Sequence, residues 1–574
     1  MISIPNTLLM LSAMILFNCQ DTVQHEIDSP FEYREVYLPE LPFDEGHDLY
    51  LNSVNRDWGI WGHNLAVVLP KNASQSVYAK AGNSVNRDQF CFSSDALFNY
   101  IKSYIDDNFG NEKTIRFAIL PNDNSIVCLC DRCVECGNKE GDASGAVYYL
   151  LERLTDKYPN HIFFSSYYRT TSHLPDHKLP DNSGVLISAM SYPLNPAHTE
   201  QEDEFGALLN EWGKFTKRVY VWDYLNNFDD YFTPFPIFDV VQRRLRLYNK
   251  HGVKGVFFNG SGTDFSTFYR LKTHIIAAML SDPDVEWRPL LRELSSELYP
   301  VAGESISKFI IRQEDMVRAK KKNLPMYEGV PKALQTYLPA EQFIELQAEL
   351  LTLSPLVKDP ERTEVQKMYR AMMLTNLELA RINGDTLGCE RLLEGLERLV
   401  AQGIVTYSES GGSINSYISE YRYMLKHAKE VGDKNLLKGV ELEPLTALDE
   451  EYNDISILTD GLMGLPSNYH CGNMISSASP ALRIAIPYVK GMKRLRVSMT
   501  KNAIYHIAFP LSVSLSCDGR ELGKVVPKPM PNNLQRSVVE FIIPSDCKED
   551  FVLTVVRNQE ERTMALDEIE GLKK

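Results

Sequence analysis

Basic charge is in short supply in this chain. Its 60 Lys and Arg stand against 76 Asp and Glu, for a formal net charge of −16 and an isoelectric point near 5.4. A nucleic-acid backbone or an anionic bilayer needs clustered Lys and Arg, so neither is expected as a partner. Glycine and proline are also sparse, 32 and 30 in 574 residues, which excludes collagen and low complexity; with 44% hydrophobic residues, disorder of the whole chain is excluded too. No internal repeat is visible. The apolar run at the amino terminus, Thr7–Phe17 (TLLMLSAMILF), is too short to span a bilayer comfortably.

What is present is a globular chain longer than one hydrophobic core usually organises, so two to four domains are expected. The amino-terminal run is followed by Asn18 and Cys19, the pattern of a bacterial lipoprotein signal. In that reading residues 1–19 are the signal, Cys19 is lipidated, and residues 20–30 form a polar tether. The leader has no Lys or Arg and Asn18 is larger than the small residue usual before such a cysteine, so a simple cleaved signal or a short anchor remains open. Each reading exports the protein. The lipid anchor would be its tie to the membrane, at the periplasm or cell surface, and without it the protein would be secreted.

The segment Thr114–Cys136 (TIRFAILPNDNSIVCLCDRCVEC) carries the most chemistry. Ile115–Leu120 is apolar on both faces, as in a strand of a parallel sheet, and Pro121 with Asn122 ends it. Side chains just past the carboxyl end of such a strand are where barrel enzymes place their chemistry, so Asp123 is the first candidate catalytic residue. Cys128, Cys130, Cys133 and Cys136 follow within nine residues, which is cramped for one tetrahedral ion, and Cys91 lies upstream in QFCFS. In an oxidising compartment disulfides among these five are favoured over a structural zinc, and no other cofactor is expected. The expected task of the cluster is to pin the loop that presents Asp123.

Strands and amphipathic helices alternate from about Phe31 to Asp284, the pattern of a parallel α/β domain. Polar and aromatic side chains stand at the strand ends: Arg34 and Glu35; Trp61, His63 and Asn64; Tyr167 and Tyr168; Trp222, Asp223 and Tyr224; and Asn259 before Gly260-Ser261-Gly262. That inventory suits a (β/α)8 TIM-type barrel binding a polyhydroxylated ligand, with aromatic faces for the C–H face of a sugar and polar groups for its hydroxyls. Each aromatic taken singly is equally well explained by packing.

The segments FEYREVY, WGHN, QFCFSSDAL, PNDNSIVCLCDRC, SSYYRT, VYVWDYLNNF, GVKGVFF and LKTHIIAAMLSDPDVEW, in this order over residues 31–290, resemble bacterial proteins with the DUF4838 domain of unknown function. Barrels of that kind are related to family 20 and α-glucuronidase-type glycoside hydrolases. The resemblance implies a carbohydrate substrate, with Arg34 as a sugar-binding arginine of the first strand and Asp123 at the place of the catalytic acid. Where family 20 enzymes keep an Asp-Glu pair, this chain has Asn122-Asp123, which puts acetamido-assisted catalysis in doubt. Cleavage needs a second carboxylate opposite the acid, for which Asp223 is the best candidate, with Glu35 behind it. Relatives often carry Glu at the eighth-strand position held here by Asn259, an amide that cannot accept a proton; Asp264 could replace it only if the glycine-rich loop folds back.

Residues 291–440 are helical by period, and residues 445–574 read as a β-sandwich resembling discoidin-like, galactose-binding-like modules. The expected function is hydrolysis of glycosidic bonds in surface or extracellular polysaccharides, with Asp123 as acid or acid/base and Asp223 as base or nucleophile. Arg34, Glu35, Trp61, His63, Asn122, Tyr167, Trp222, Tyr224 and Asn259 would grip the sugar. The alternative is a non-catalytic glycan-binding lipoprotein.

Overall fold

The computed structural model describes residues 29–573 apart from 42–45, 47–48, 83, 386, 450–451, 470–472 and 560–562. Cys19, the leader and Cys471 lie outside the described residues. Among the described residues no helix is long and apolar enough to cross a membrane.

Nine strands organise the amino-terminal half: β1 (Tyr33–Tyr37), β2 (Trp58–Ile60), β3 (Tyr78–Ala81), β4 (Ser84–Phe90), β5 (Arg116–Ala118), β6 (Ile162–Tyr167), β7 (Ser183–Ser188), β8 (Val219–Tyr224) and β9 (Gly255–Asn259). Seven of them form one curled parallel sheet in the order β1-β9-β8-β7-β6-β5-β2, while β3 and β4 pair as a separate antiparallel hairpin. The expected closed eight-stranded barrel is therefore realised as a seven-stranded sheet whose end strands, β1 and β2, are not paired to each other. The chain between β2 and β5 folds into the hairpin and a helix instead of another sheet strand. Asn259 accordingly ends the seventh strand of this sheet in chain order, not an eighth.

The gap between β1 and β2 is sealed locally. Asn52 N–H donates to the Arg34 carbonyl at 2.7 Å, Arg34 N–H donates to Asn52 Oδ1 at 2.8 Å, and the Tyr33 ring meets Trp58 edge-on at 5.7 Å. The crossover helices α1 (Asp95–Asn108), α2 (Asp131–Glu135), α3 (Ser144–Lys157), α4 (Glu200–Trp212), α5 (Phe238–Lys250) and α6 (Tyr269–Ser281) follow the strands. Their apolar faces cover one face of the sheet with residues such as Leu97, Ile101, Leu150, Leu154, Leu209 and Leu245.

Alternation along each strand sorts side chains between this helix-covered face and the inside of the curl. The inside is filled by Tyr33, Trp58, Leu120, Phe164, Leu186, Tyr220 and Phe257, all buried. Large rings demand small neighbours. A Cβ on Gly184 would stand 2.3 Å from the Phe164 ring and 2.8 Å from the Arg218 carbonyl.

Residues 287–431 are mainly helical, from Trp287–Leu298 through Ile414–Val431, and their core is continuous with that of the α/β part. Two antiparallel sheets follow. Five strands run in the order Glu443–Pro444, Ala481–Ile486, Phe551–Val556, Ser512–Cys517, Arg520–Val525, and four in the order Ile475–Ser477, Met564–Leu572, Arg494–Thr500, Arg536–Ile542. They share a core that includes Leu482, Ile484, Val497, Leu515, Phe541, Leu553 and Ile569.

Gly184→Ala is expected to lower stability by about 1–3 kcal/mol, because the methyl must displace a packed ring and a carbonyl. The shift in urea midpoint checks it, and an unchanged midpoint would deny the close approach.

Candidate active site at the carboxyl ends of the strands

A cavity of about 200 Å³ opens at the carboxyl ends of the parallel strands. Its wall takes His63 from the turn after β2, Leu120 and Asp123 from the segment after β5, Ser166 and Tyr168 from the end of β6, Ser188 and Met190 from β7, Trp222 and Tyr224 from β8, and Asn259 from β9. Tyr327 and Glu409, from loops of the helical region, close the far side. Two larger hollows, of about 590 and 670 Å³, lie among outer helices, one around Arg243 and Arg246 and one around Arg370 and Arg391. Neither reaches a strand end.

The floor is aromatic. Trp61 stacks on Trp222 at 5.0 Å with the planes 16° apart, and both pack on Phe257. Gly62 has φ +58, and its left-handed turn lets the chain pass over Trp222, carrying His63 to the rim. The His63 Nδ1 lies 2.5 Å from the Pro121 carbonyl, so the imidazole braces the start of the Asp123 loop. The indole N–H of Trp222 is buried without a hydrogen-bond partner among the described residues.

The Asp123 loop is held from outside the sheet. The Gln89 side chain donates to the Asn122 carbonyl at 3.0 Å and to Asn124 Oδ1 at 3.1 Å, and the side chains of Asn122 and Asn124 both donate to the Asp88 carbonyl at 2.8 Å. Asp123 projects from this frame and meets Arg169 Nε at 2.9 Å. Arg169 also donates to the Tyr168 hydroxyl at 3.0 Å, and its backbone lies at φ +48. A side-chain-bearing residue held there costs roughly 1–2 kcal/mol, a strain of the kind concentrated at functional sites.

Glu409 supplies the second carboxylate of the cavity. Its N–H donates to the Phe228 carbonyl at 2.8 Å, and Tyr327 Oη donates to Glu409 Oε2 at 3.3 Å. Desolvation raises the Glu409 pKa from its ordinary value and the charges of Asp229 and Asp123 add to the rise, against the bond from Tyr327. Desolvation likewise raises the hydroxyls of Tyr224 and Tyr327, which keeps both as donors.

The residues expected from the sequence divide by strand parity. Asp123, His63, Trp222, Tyr224 and Asn259 meet at the cavity, with Trp61 in its floor. Asp223 does not. Trp222 and Tyr224 line the cavity, so Asp223 between them points to the helices, where it is fully buried in an ion pair with Arg244 and accepts from Tyr248 Oη at 2.5 Å. Arg34 also faces away, donating to Ser281 Oγ at 3.2 Å and the Tyr50 carbonyl at 3.1 Å. Tyr167 packs edge-on against Trp212 under α4, and Asn122 belongs to the loop frame. Glu35 points inward but lies below the cavity, bonded to Tyr33 Oη and to the Val54 N–H at 2.9 Å. Burial lifts its pKa to about 7. Ser166, Ser188, Met190, Tyr327 and Glu409 were not anticipated. The two serines sit at strand ends and were open to the same reading, whereas Glu409 lies in a helical connection far along the chain and gave no signal.

The favoured disulfides are not formed. Cys91 Sγ lies 3.6 Å from Cys133 Sγ and 3.7 Å from Cys130 Sγ, against about 2.05 Å for a disulfide. Cys136 stands apart, as the C-cap of α2.

Fold and site together define an α/β protein with a carboxylate-lined cavity at the carboxyl ends of a curled parallel sheet. The pattern of DUF4838, a domain of unknown function, matches residues 22–310, and the chain belongs to that family. Similar solved structures include a family GH115 4-O-methyl-α-glucuronidase with specificity for decorated arabinogalactans, at 12% identity and TM-score 0.35 over 86% of this chain and 68% of that one. A GH138 enzyme targeting pectin rhamnogalacturonan II is similar at 9% identity and TM-score 0.31 over 96% and 86%. No curated protein matches the chain.

Two outcomes separate structural from site carboxylates. Asp223→Ala leaves Arg244 buried and uncompensated and is expected to cost about 3–5 kcal/mol in denaturant unfolding. Folding raises the Glu35 pKa from 4.5 to about 7, so the native state holds its proton more tightly than the unfolded chain. The associated stability is complete below pH 4.5 and is lost as pH rises through 7, by up to about 3 kcal/mol. Glu35→Gln is expected to flatten that part of the stability–pH curve; an identical slope in the variant would refute the assignment.

Proposed function

We propose that this protein is a glycoside hydrolase whose catalytic carboxylates are Glu409 and Asp123. The observation that carries the reading is the cavity itself: two carboxylates and a tryptophan–tyrosine wall converge at the carboxyl ends of parallel strands, where barrel-type enzymes bind and transform substrates. A sugar ring would lie against Trp222, with Ser166, Ser188, Tyr224 and Asn259 within reach as partners for its hydroxyls. Glu409, with its raised pKa, is suited to protonate the departing glycosidic oxygen. Asp123, fixed by Arg169, would supply the negative charge opposite, either to an attacking water or to the sugar carbon.

Export and a lipid anchor at Cys19 belong to the same proposal, since extracellular glycans are reached from outside the membrane. The carboxyl-terminal sheets, likened above to galactose-binding modules, would brace the mouth: Tyr505 Oη donates to Asp229 Oδ1 at 3.1 Å, and Asp229 Oδ2 accepts from the Glu328 N–H next to Tyr327. The pairing of Asp123 with Arg169 favours a second reading, a glycan-binding protein without turnover, because it occupies one of the two carboxylates.

The test is release of reducing ends from a panel of plant and host polysaccharides. Glu409→Gln and Asp123→Asn are each expected to lose about 10²–10⁴-fold in rate with folding intact. If every substrate is inert and a glycan still raises the melting temperature of wild type but not of Trp222→Ala, the binding reading replaces hydrolysis.

A further inference from the structure

Four thiols beside the Asp123 loop form a second site. Cys91, Cys128, Cys130 and Cys133 place their sulfurs within 4.8 Å of one another. Three come from the C-x-C-x2-C run and the fourth from the segment after β4, so the set is a local knuckle completed by a remote ligand. The sequence objection to a metal was the crowding of Cys128, Cys130, Cys133 and Cys136 within nine residues. Leaving Cys136 out and drawing in Cys91 removes it.

Geometry and surroundings agree. A zinc–sulfur bond of about 2.3 Å puts tetrahedral ligands about 3.8 Å apart. The Cys91–Cys133 and Cys91–Cys130 separations are 3.6 and 3.7 Å. The Lys80 N–H donates to Cys128 Sγ at 3.3 Å, and Ser93 Oγ lies 3.1 Å from Cys133 Sγ. Donors of this kind stabilise and orient coordinated thiolates. Cys91, Cys128 and Cys133 are buried and Cys130 is partly covered, as a closed structural site requires.

We propose that these four cysteines bind one structural Zn²⁺. On binding, the four thiols release four protons to solvent and four sulfur–zinc bonds form, leaving a tetrathiolate complex of charge −2 with no change of oxidation state. The ion would join the entry to α2 to the chain that leaves the β3–β4 hairpin for α1, directly after Asp88 and Gln89 of β4, which frame the Asp123 loop. The metal site stands whether or not the cavity hydrolyses sugars.

The experiment is metal analysis of the full chain purified without chelator. About one zinc per chain is expected. Its removal by a strong chelator should lower the melting temperature, and refilling with Co²⁺ should give thiolate-to-cobalt charge-transfer absorption together with intense tetrahedral visible bands. Cys91→Ser and Cys133→Ser should lose the zinc while Cys136→Ser keeps it. Should the first two fail to fold, alkylation of native wild type decides: cluster thiols that react only after chelation support the site. Thiols blocked until reduction would mean disulfides, and a metal-free chain giving no cobalt spectrum would likewise overturn the proposal.

Discussion

The filling of the curled sheet with aromatic rings is the constraint on which the rest of the molecule depends. Tyr33 stacks on Tyr220 at 5.6 Å, Phe164 meets Tyr220 at 4.5 Å and Trp58 at 5.1 Å, and Trp61, Trp222 and Phe257 form the layer above. Interiors are packed to crystal density, so rings this large fix how tightly seven strands can curl. They also explain why β1 and β2 need not pair. The Tyr33–Trp58 contact and the Asn52 bridge close the side of the sheet that an eighth strand would occupy. The topmost layer of rings then becomes the floor of the cavity, which makes packing and ligand surface one structure.

A cavity at the strand ends, rimmed by loops, must have its mouth organised from elsewhere, and here the helical region does so. Phe228 N–H donates to the Met326 carbonyl at 2.7 Å and Tyr231 N–H to the Tyr407 carbonyl at 2.8 Å, tying two distant connections to the loop after β8. These bonds satisfy backbone groups that would otherwise be stranded at the mouth. They also bring Tyr327 and Glu409 into a cavity whose other walls come from strand ends. Asp229 is the junction, receiving the Glu328 N–H on one oxygen and Tyr505 Oη on the other.

The strands were legible because their apolar runs are long and bounded by clear breakers. The alternation expected from about Phe31 to Asp284 is realised in elements such as the strands Val219–Tyr224 and Gly255–Asn259 and the helix Ser144–Lys157. Trp58–Ile60 is short, and Gly62 turns the chain away just after it at positive φ. Asp123, His63, Trp222, Tyr224 and Asn259 were legible for the same reason as the strands they follow. The errors share one physical origin. A strand end exposes alternate residues to opposite faces, and a run apolar on both faces carries no mark of which is which. Asp223 and Arg34 therefore read as site residues while serving the helix side, and Glu409 could not be read at all, because its place depends on a fold-back that no local pattern encodes.

Buried charge on the helix side shows what this parity achieves. Arg244 bonds Asp223 and also donates to the Tyr192 and Pro193 carbonyls at 2.8 and 3.1 Å, so one guanidinium ties β8 to the chain leaving β7. Such a pair adds little net stability over apolar packing, but it is directional, and only one register of α5 against β8 satisfies it. With Asp223 fixed to the helices, Trp222 and Tyr224 must face inward, because a one-residue slip would expose Asp223 to the rings and bury two aromatics among polar partners. Asp223 thus governs the cavity without touching it: its ion pair sets the parity by which the neighbouring side chains become the wall.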